Sequence, residues 1–294
     1  MSPSYTDDLR LAHVLADDAD SITMSRFRAL DLHVRKKPDL SPVSDADETV
    51  EEVIRSTLGR ARPRDAVLGE EQGLIGFGSR CWVVDPVDGT KNFVRGVPVW
   101  ATLIGLMQDG EVVAGCVSAP ALGRRWWAAK GNGAWTGKSI MNAQPCRVSD
   151  VSDLADASLS YASLTGWEER DRLADLLALG RRCWRTRAYG DFWSHMLVAE
   201  GAVDIAPEPE LAVHDMAALA IIIEEAGGRF TGLDGKPGPH GGNALSTNGR
   251  LHDQVLGFIG ALSDASAADD PDAAPRISGQ VHSLTSKRHP ETTT

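Results

Sequence analysis

The chain has 294 residues, 42% of them hydrophobic and 24% charged, and carries a net charge of −11 at pH 7. That length supports one large domain or two coupled subdomains with a full core, the acidity argues against nucleic acid as a partner, and no apolar run approaches the ~20 residues that span a membrane. The opening MSPSYTDDLRLAHVLADDAD is acidic without a basic-then-apolar signal pattern, and Cys81, Cys116, Cys146 and Cys183 show no CxxC or zinc spacing, so free thiols in a cytoplasmic protein are expected.

Apolar residues at helical spacing predict a first helix over 5–32, reaching roughly to Leu30. Two prolines make 36–42 a loop. A second helix begins near Ser44 or Asp45, with Glu48 as a capping partner, and Gly59 is a candidate for its end. Val67–Glu71 is a short strand leading into acidic residues, and Arg80–Val84 a strand apolar enough to be buried on both faces. Pro86 is expected to stop that strand's ladder. Thr102–Met107 and Val112–Ser118 flank Asp109-Gly110, a hairpin signal. Arg125–Ala129 follows, so this half reads as two helices on a largely antiparallel sheet.

Past Arg147 the pattern changes. Strands at 157–160, 184–187 and 203–206 alternate with helices at 167–179, 192–200 and 214–226, which predicts a layered α/β unit. Gly227-Gly228 ends the last helix. The expected division is an N-terminal α+β subdomain at 1–149, a C-terminal α/β subdomain at 150–262, and a disordered tail at 263–294.

Chemistry concentrates at element ends. Asp85 and Asp88 sit three apart at the mouth of a buried strand, where side chains leave the core yet stay anchored. Alone, the pair also reads as a solvated turn. Glu70-Glu71 alone reads as surface charge, and Asp45, Asp47 and Asp215 alone read as helix caps. Gly89-Thr90 is an ordinary helix start or a place where backbone N–H groups meet a phosphate. Together, four acidic loci beside apolar runs exceed what turns require. Clustering their charges is costly unless a hard cation such as Mg²⁺ joins them.

Gly69-Glu70-Glu71, Asp85-Pro86-Val87-Asp88-Gly89-Thr90 and Asp215 with Ala217-Ala218 resemble the inositol monophosphatase-like superfamily of metal-dependent phosphatases, over about residues 5–262. The resemblance implies an α/β fold, a two-subdomain α-β-α-β-α sandwich of the inositol monophosphatase/fructose-bisphosphatase type. It implies that Glu70, Asp85, Asp88 and the Val87 carbonyl hold two or three Mg²⁺ ions and that Asp215 completes a further site. Asp47, Thr90 and Glu70 would be catalytic, orienting and activating water, and the Gly89 and Thr90 amides would hold phosphate. Glu71 would neighbour the site, and Lys36 or Lys37 would line its entrance. The substrate would be a small phosphate ester and the assembly a homodimer. His214 departs from the tryptophan usual before the late aspartate.

Further stretches, Phe93–Trp100, Ser118–Ala121, Arg125-Trp126-Trp127 and Arg187–Phe192, resemble the histidinol-phosphate phosphatases of actinobacteria within that superfamily. That resemblance implies Asp191, Glu208 and Arg187 as substrate contacts, since a carboxylate suits a leaving group bearing an ammonium and an imidazole. The alternative for Asp191 is a cap on the 192–200 helix. The alternative for the enzyme is an inositol-1-phosphate or broad sugar-phosphate phosphatase.

Overall fold

A computed structural model describes residues 5–38 and 41–259; the expected tail at 263–294 lies outside them. The chain opens with α1 (Thr6–Arg26), the short hairpin β1 (Val34–Lys36) and β2 (Pro42–Ser44), and α2 (Asp45–Ala61). It continues through β3 (Ala66–Gly69), β4 (Gly73–Ile75), β5 (Arg80–Asp88), α3 (Thr90–Arg95), β6 (Ala101–Gln108) and β7 (Glu111–Ala119). The first half closes with β8 (Arg124–Ala129), β9 (Ala134–Gly137) and β10 (Gln144–Pro145). The second half runs β11 (Ser158–Ser160), α4 (Leu164–Glu168), α5 (Leu173–Gly180), β12 (Arg185–Arg187) and α6 (Asp191–Ala199). Then come β13 (Ile205–Glu208), α7 (Val213–Glu225), β14 (Arg229–Thr231), β15 (Ala244–Thr247) and a helical stretch at 252–259.

These elements stack in five layers. An eight-stranded sheet of order β10-β9-β8-β7-β6-β5-β3-β4 is antiparallel except where β3 pairs parallel with β5. Leu15 of α1 and Val50 and Ile54 of α2 pack with Trp82, Ile104 and Trp127 on one face. Residues of α6 and α7, among them Met196, Met216 and Ile222, pack with Leu103, Val117 and Trp126 on the other. A five-stranded sheet, β12-β11-β13-β15-β14, lies beyond α6 and α7. Its Leu159, Ile205 and Leu245 pack with Trp167, Leu176 and Leu179 of α4 and α5 and with Val255. The layer order is therefore α-β-α-β-α, the sandwich that the family resemblance implies.

Several boundaries differ from expectation, each for a local reason. The first helix stops at Arg26, because Arg28 takes a left-handed φ of 62° and turns its guanidinium to the Gly96 carbonyl at 2.7 Å. Ser44 caps α2, but its partner is Asp47, the third residue of the helix, and not Glu48. Gly59 does not end α2, which runs to Ala61. Pro86 does not stop β5; the strand continues to Asp88 through a register shift between Asp85 and Asp88. Such a bulge removes the need for an N–H that proline lacks. The single helix expected at 167–179 is two helices, with Asp171 at φ 54° between them.

Two close approaches seat α7 on the first sheet. A Cβ on Gly105 of β6 would lie 2.8 Å from the Ala217 Cβ, and one on Gly115 of β7 would lie 2.9 Å from the Ala218 carbonyl. The bare backbone at these two positions lets α7 lie directly on the sheet. That close seat carries Asp215, in the first turn of α7, to the end of β5.

Candidate active site

At the β5 bulge, carboxylate oxygens of Asp85, Asp88 and Asp215 all lie within 4.8 Å of one another. Asp85 is buried, and its Oδ1 accepts the Val87 N–H at 3.0 Å. Asp88 Oδ2 accepts the Phe192 N–H at 2.7 Å, tying the first sheet to the start of α6. Asp215 Oδ2 accepts the Ala212 N–H at 2.7 Å, and the His214 ring nitrogen Nε2 lies 3.4 Å from Oδ1. His214 thus meets the carboxylate that it precedes. Burial, then the charges of Glu70 and Asp88, pushes Asp85 well above the usual carboxylate range. Burial, then Asp191 and Asp215, does the same to Asp88. Asp215 is also raised by burial, against the lowering influence of His214. Mutually repelling oxygen donors in a buried cluster are the donor set that a hard divalent cation satisfies. The residues present fit such a group.

Glu70 follows β3, and its N–H donates to the Val84 carbonyl at 3.2 Å. Lys37 Nζ lies 2.7 Å from Glu70 Oε1 and 2.7 Å from Glu71 Oε1, whereas Lys36 is exposed on β1. Of the two lysines expected at the entrance, Lys37 is the one beside the site.

The acidic loop has a hidden support. Glu51 of α2 is wholly buried, and its carboxylate accepts the Glu71 N–H at 2.7 Å and the Gln72 N–H at 2.9 Å. Arg55 holds it at 2.8 Å. A Cβ on Gly69 would sit 2.3 Å from that carboxylate, so Gly69 is what lets Glu51 approach. The sequence reading missed Glu51. Its position one turn after Asp47 on α2 was the only signal.

Asp47 and Thr90 meet across 43 positions of sequence: Thr90 Oγ1 lies 3.2 Å from Asp47 Oδ1 and 2.8 Å from the Val87 carbonyl. Asp47 is buried, and burial raises its pKa against the hydrogen bonds from Ser44. Gly89, at φ 83°, caps α3, and a Cβ there would stand 3.0 Å from the Val99 carbonyl and 3.3 Å from Asp191 Oδ2. The first amides of α3, which starts two residues after the end of β5, have no partner within the helix.

A cleft of about 370 Å³ adjoins the cluster, lined by Asp88, Lys91, Asp191, Glu208, Asp215 and residues of α4. Asp191 begins α6 at a left-handed φ of 49°, with Gly190 in the cap position. Its side chain caps nothing; Oδ2 accepts the Asn92 amide at 3.0 Å. Glu208 is buried at the end of β13, and its Oε1 has no partner. Burial, then the Asp191 charge, pushes its pKa up to about 8. Arg187 is not brought into the cleft: it is exposed at the end of β12, with its guanidinium on the Thr186 carbonyl at 2.7 Å. Lys91, Ser163, Thr165, Glu169 and Glu210 line the cleft without having been singled out in the sequence. Ser163, Thr165 and Glu169 belong to α4 and its caps, whereas Lys91 lies in α3 and Glu210 follows β13, so no local pattern joins all five. The four cysteines are free thiols outside the cleft. No helix among the described residues is long and apolar enough to cross a membrane.

Residues 6–264 match the model of the Inositol monophosphatase family. A histidinol-phosphatase of Streptomyces coelicolor is 64% identical over 261 residues, covering 87% of this chain and 98% of the relative. One from Mycobacterium tuberculosis is 58% identical over 258 residues, with the same 87% and 98% coverage. Among solved structures, an inositol monophosphatase from Zymomonas mobilis superposes with a TM-score of 0.77 at 31% identity, covering 88% of this chain and 99% of that one.

Proposed function

The chain belongs to the inositol monophosphatase family, and we propose from its site that it is a Mg²⁺-dependent phosphoric monoester hydrolase that converts L-histidinol phosphate and water to L-histidinol and phosphate. The observation that carries the substrate is the cleft beside the carboxylate cluster. Beyond the proposed metal ligands Asp88 and Asp215, its lining among the described residues carries Glu169, Asp191, Glu208 and the Arg170-paired Glu210 against a single lysine, Lys91. A polyol leaving group offers these carboxylates only neutral hydroxyl donors, whereas histidinol brings an ammonium and an imidazole. The two histidinol-phosphatases that share 64% and 58% identity with this chain support the same substrate.

Glu70, Asp85, Asp88, Asp215 and the Val87 carbonyl would hold two or three ions. When bound, Mg²⁺ supplies charge neutralisation at phosphate and a water of lowered pKa. The chain's own residues do the rest. The amides of Gly89 and Thr90 bind phosphate oxygens where the bare Gly89 backbone permits close approach. Thr90 Oγ1, held between Asp47 Oδ1 and the Val87 carbonyl, orients the attacking water, and Asp47 takes up the proton through that hydroxyl. Burial makes Asp47 a stronger base than an exposed aspartate. Asp191 and Glu208 hold the ammonium of the leaving group. No covalent nucleophile is required.

A substrate panel tests the reading. With Mg²⁺, kcat/KM for L-histidinol phosphate should exceed that for myo-inositol 1-phosphate by at least about tenfold, a difference of ~1.4 kcal/mol in transition-state binding. A preference for the inositol ester overturns it.

A further inference from the structure

Helix α4 brings an unpaired carboxylate to the wall of the substrate cleft. Glu169 ends α4 with its N–H on the Thr165 carbonyl at 2.9 Å, and it lines the cleft with Ser163, Thr165 and Gly166. The adjacent Arg170 is engaged elsewhere, on the Glu210 carboxylate and on the Gly166 carbonyl at 3.2 Å. Among the described residues, the Glu169 side chain has no ion-pair or hydrogen-bond partner. A second observation in the same cleft points to a ligand: Glu208 is only 4% exposed, yet its Oε1 has no partner.

The chemistry of the substrate orders these carboxylates. In L-histidinol phosphate the ester carbon is followed by the carbon bearing the ammonium, and the imidazole lies one methylene farther out. Phosphate is fixed at the Asp85, Asp88 and Asp215 end. Asp191, whose Oδ2 lies against Gly89, is then placed for the ammonium, with Glu208. The remaining ring needs a partner among the other residues lining the cleft, and α4 with its caps supplies Ser163, Thr165 and Glu169 there. We infer that Glu169 is a specificity-determining residue whose carboxylate accepts an imidazole N–H of the leaving group. The ring donates an N–H in either protonation state, so the contact holds on both sides of its titration. This inference rests on the histidinol phosphate reading.

The test compares Glu169→Gln and Glu169→Asp with the wild-type enzyme on two esters. One is L-histidinol phosphate. The other is O-phosphoethanolamine, which keeps the ammonium at the same carbon and lacks the ring. Glu169 is exposed, so neither change disturbs a core. Glu169→Gln should raise KM for L-histidinol phosphate about fivefold with kcat within about twofold, and Glu169→Asp should recover part of the loss. KM for O-phosphoethanolamine should rise less than about twofold. Equal rises on both esters, no rise on either, or a loss carried by kcat overturns the inference while leaving the substrate reading intact. A wild-type preference for myo-inositol 1-phosphate over L-histidinol phosphate would instead remove the reading on which it rests.

Discussion

Asp47 accepts the Thr90 hydroxyl on Oδ1 at 3.2 Å, while its Oδ2 takes the Ser44 N–H at 2.9 Å and the Ser44 hydroxyl at 2.5 Å. One buried carboxylate therefore closes the cap of α2 and positions the hydroxyl at the start of α3. In Asp47→Asn an amide nitrogen replaces one acceptor, so one of the two duties is lost whichever way the side chain sits. The neutral amide is no base in either orientation, so kcat should fall about 10²–10⁴, and an amide nitrogen turned toward Ser44 also costs a cap worth ~1 kcal/mol. Thr90→Ala should lower kcat and leave Tm near that of the wild type, because the Ser44 contacts remain. Steady-state kinetics and thermal melts on the two variants separate these effects. Full kcat in Thr90→Ala would end the proposed role of the pair.

The Asp85, Asp88 and Asp215 cluster predicts a dependence of stability on metal. Without cations, three carboxylates within 4.8 Å repel one another; a bound cation reverses the sign of that interaction and stabilises the folded state by mass action. EDTA should therefore lower Tm and abolish turnover, and Mg²⁺ should restore both. Asp215→Asn removes one repelling charge. Its metal-free Tm should exceed that of the metal-free wild type, and its Tm gain on adding Mg²⁺ should be smaller. Scanning fluorimetry across a Mg²⁺ titration measures this, and a wild-type response from Asp215→Asn would exclude Asp215 from the metal set.

The residues that could be read from the sequence share a physical property: they stand at element ends beside apolar runs. Asp85 and Asp88 lie at the C-terminal end of buried β5, Glu70 follows β3, and Asp47, Thr90 and Asp215 lie in the first turns of helices, so short segments suffice to locate them. Glu51 has no such marker. It lies inside α2, and its role depends on the missing Cβ of Gly69, eighteen positions away. Glu169 and Glu208 come from different layers of the sandwich, and only the tertiary fold joins them in one cleft. The three- and four-residue strands β4, β14 and β15 are too short to show a period of two. The path of β5 through Pro86 is not legible in the sequence, because a bulge satisfies the backbone that proline leaves short of a donor.

Asp191 separates charge from conformation. Its backbone at φ 49° is costly for most residues, but asparagine tolerates that region nearly as well as aspartate. An asparagine can also still accept the Asn92 amide through its own oxygen. Asp191→Asn, which keeps both the backbone conformation and the Asn92 contact, should thus leave stability within about ±0.5 kcal/mol of the wild type. It should raise KM for L-histidinol phosphate about tenfold, the cost of a charge-assisted hydrogen bond made neutral. An aryl phosphate, with no ammonium to bind, should show a smaller rise. Equal effects on both esters would make Asp191 a purely structural residue.

Gly69→Ala tests the hidden support of the acidic loop. The new methyl would stand 2.3 Å from the Glu51 carboxylate, which is wholly buried and cannot retreat without releasing the Glu71 and Gln72 amides. Overpacking of this kind costs ~1–3 kcal/mol. The displaced loop also carries Glu70, so the apparent affinity for Mg²⁺ should fall together with Tm. Urea unfolding and a Mg²⁺ activation curve on the same preparation would show both. Lost stability with an unchanged activation curve would detach Glu51 and Gly69 from the metal site.

Glu208 gives the metal-free protein a stability slope with pH. Burial holds its folded-state pKa at about 8, above the ordinary 4.5 of the unfolded chain. Between those values the folded protein keeps a proton that the unfolded chain has released. The unfolded state then binds fewer protons, and stability falls as pH rises through the window. Below pH 4.5 both states hold the proton and the penalty vanishes. Glu208→Gln presents a neutral side chain of the same size at every pH, so it should match the wild type near pH 4.5 and exceed it increasingly toward pH 8. Other raised carboxylates, Asp85 and Asp88 among them, tilt both proteins in the same direction and drop out of the difference. Paired urea titrations of the metal-free proteins at several pH values measure that difference directly. A constant offset between the two would mean that Glu208 does not titrate in this range, and its unpartnered oxygen would then have to be satisfied in the folded protein by a group other than its own proton.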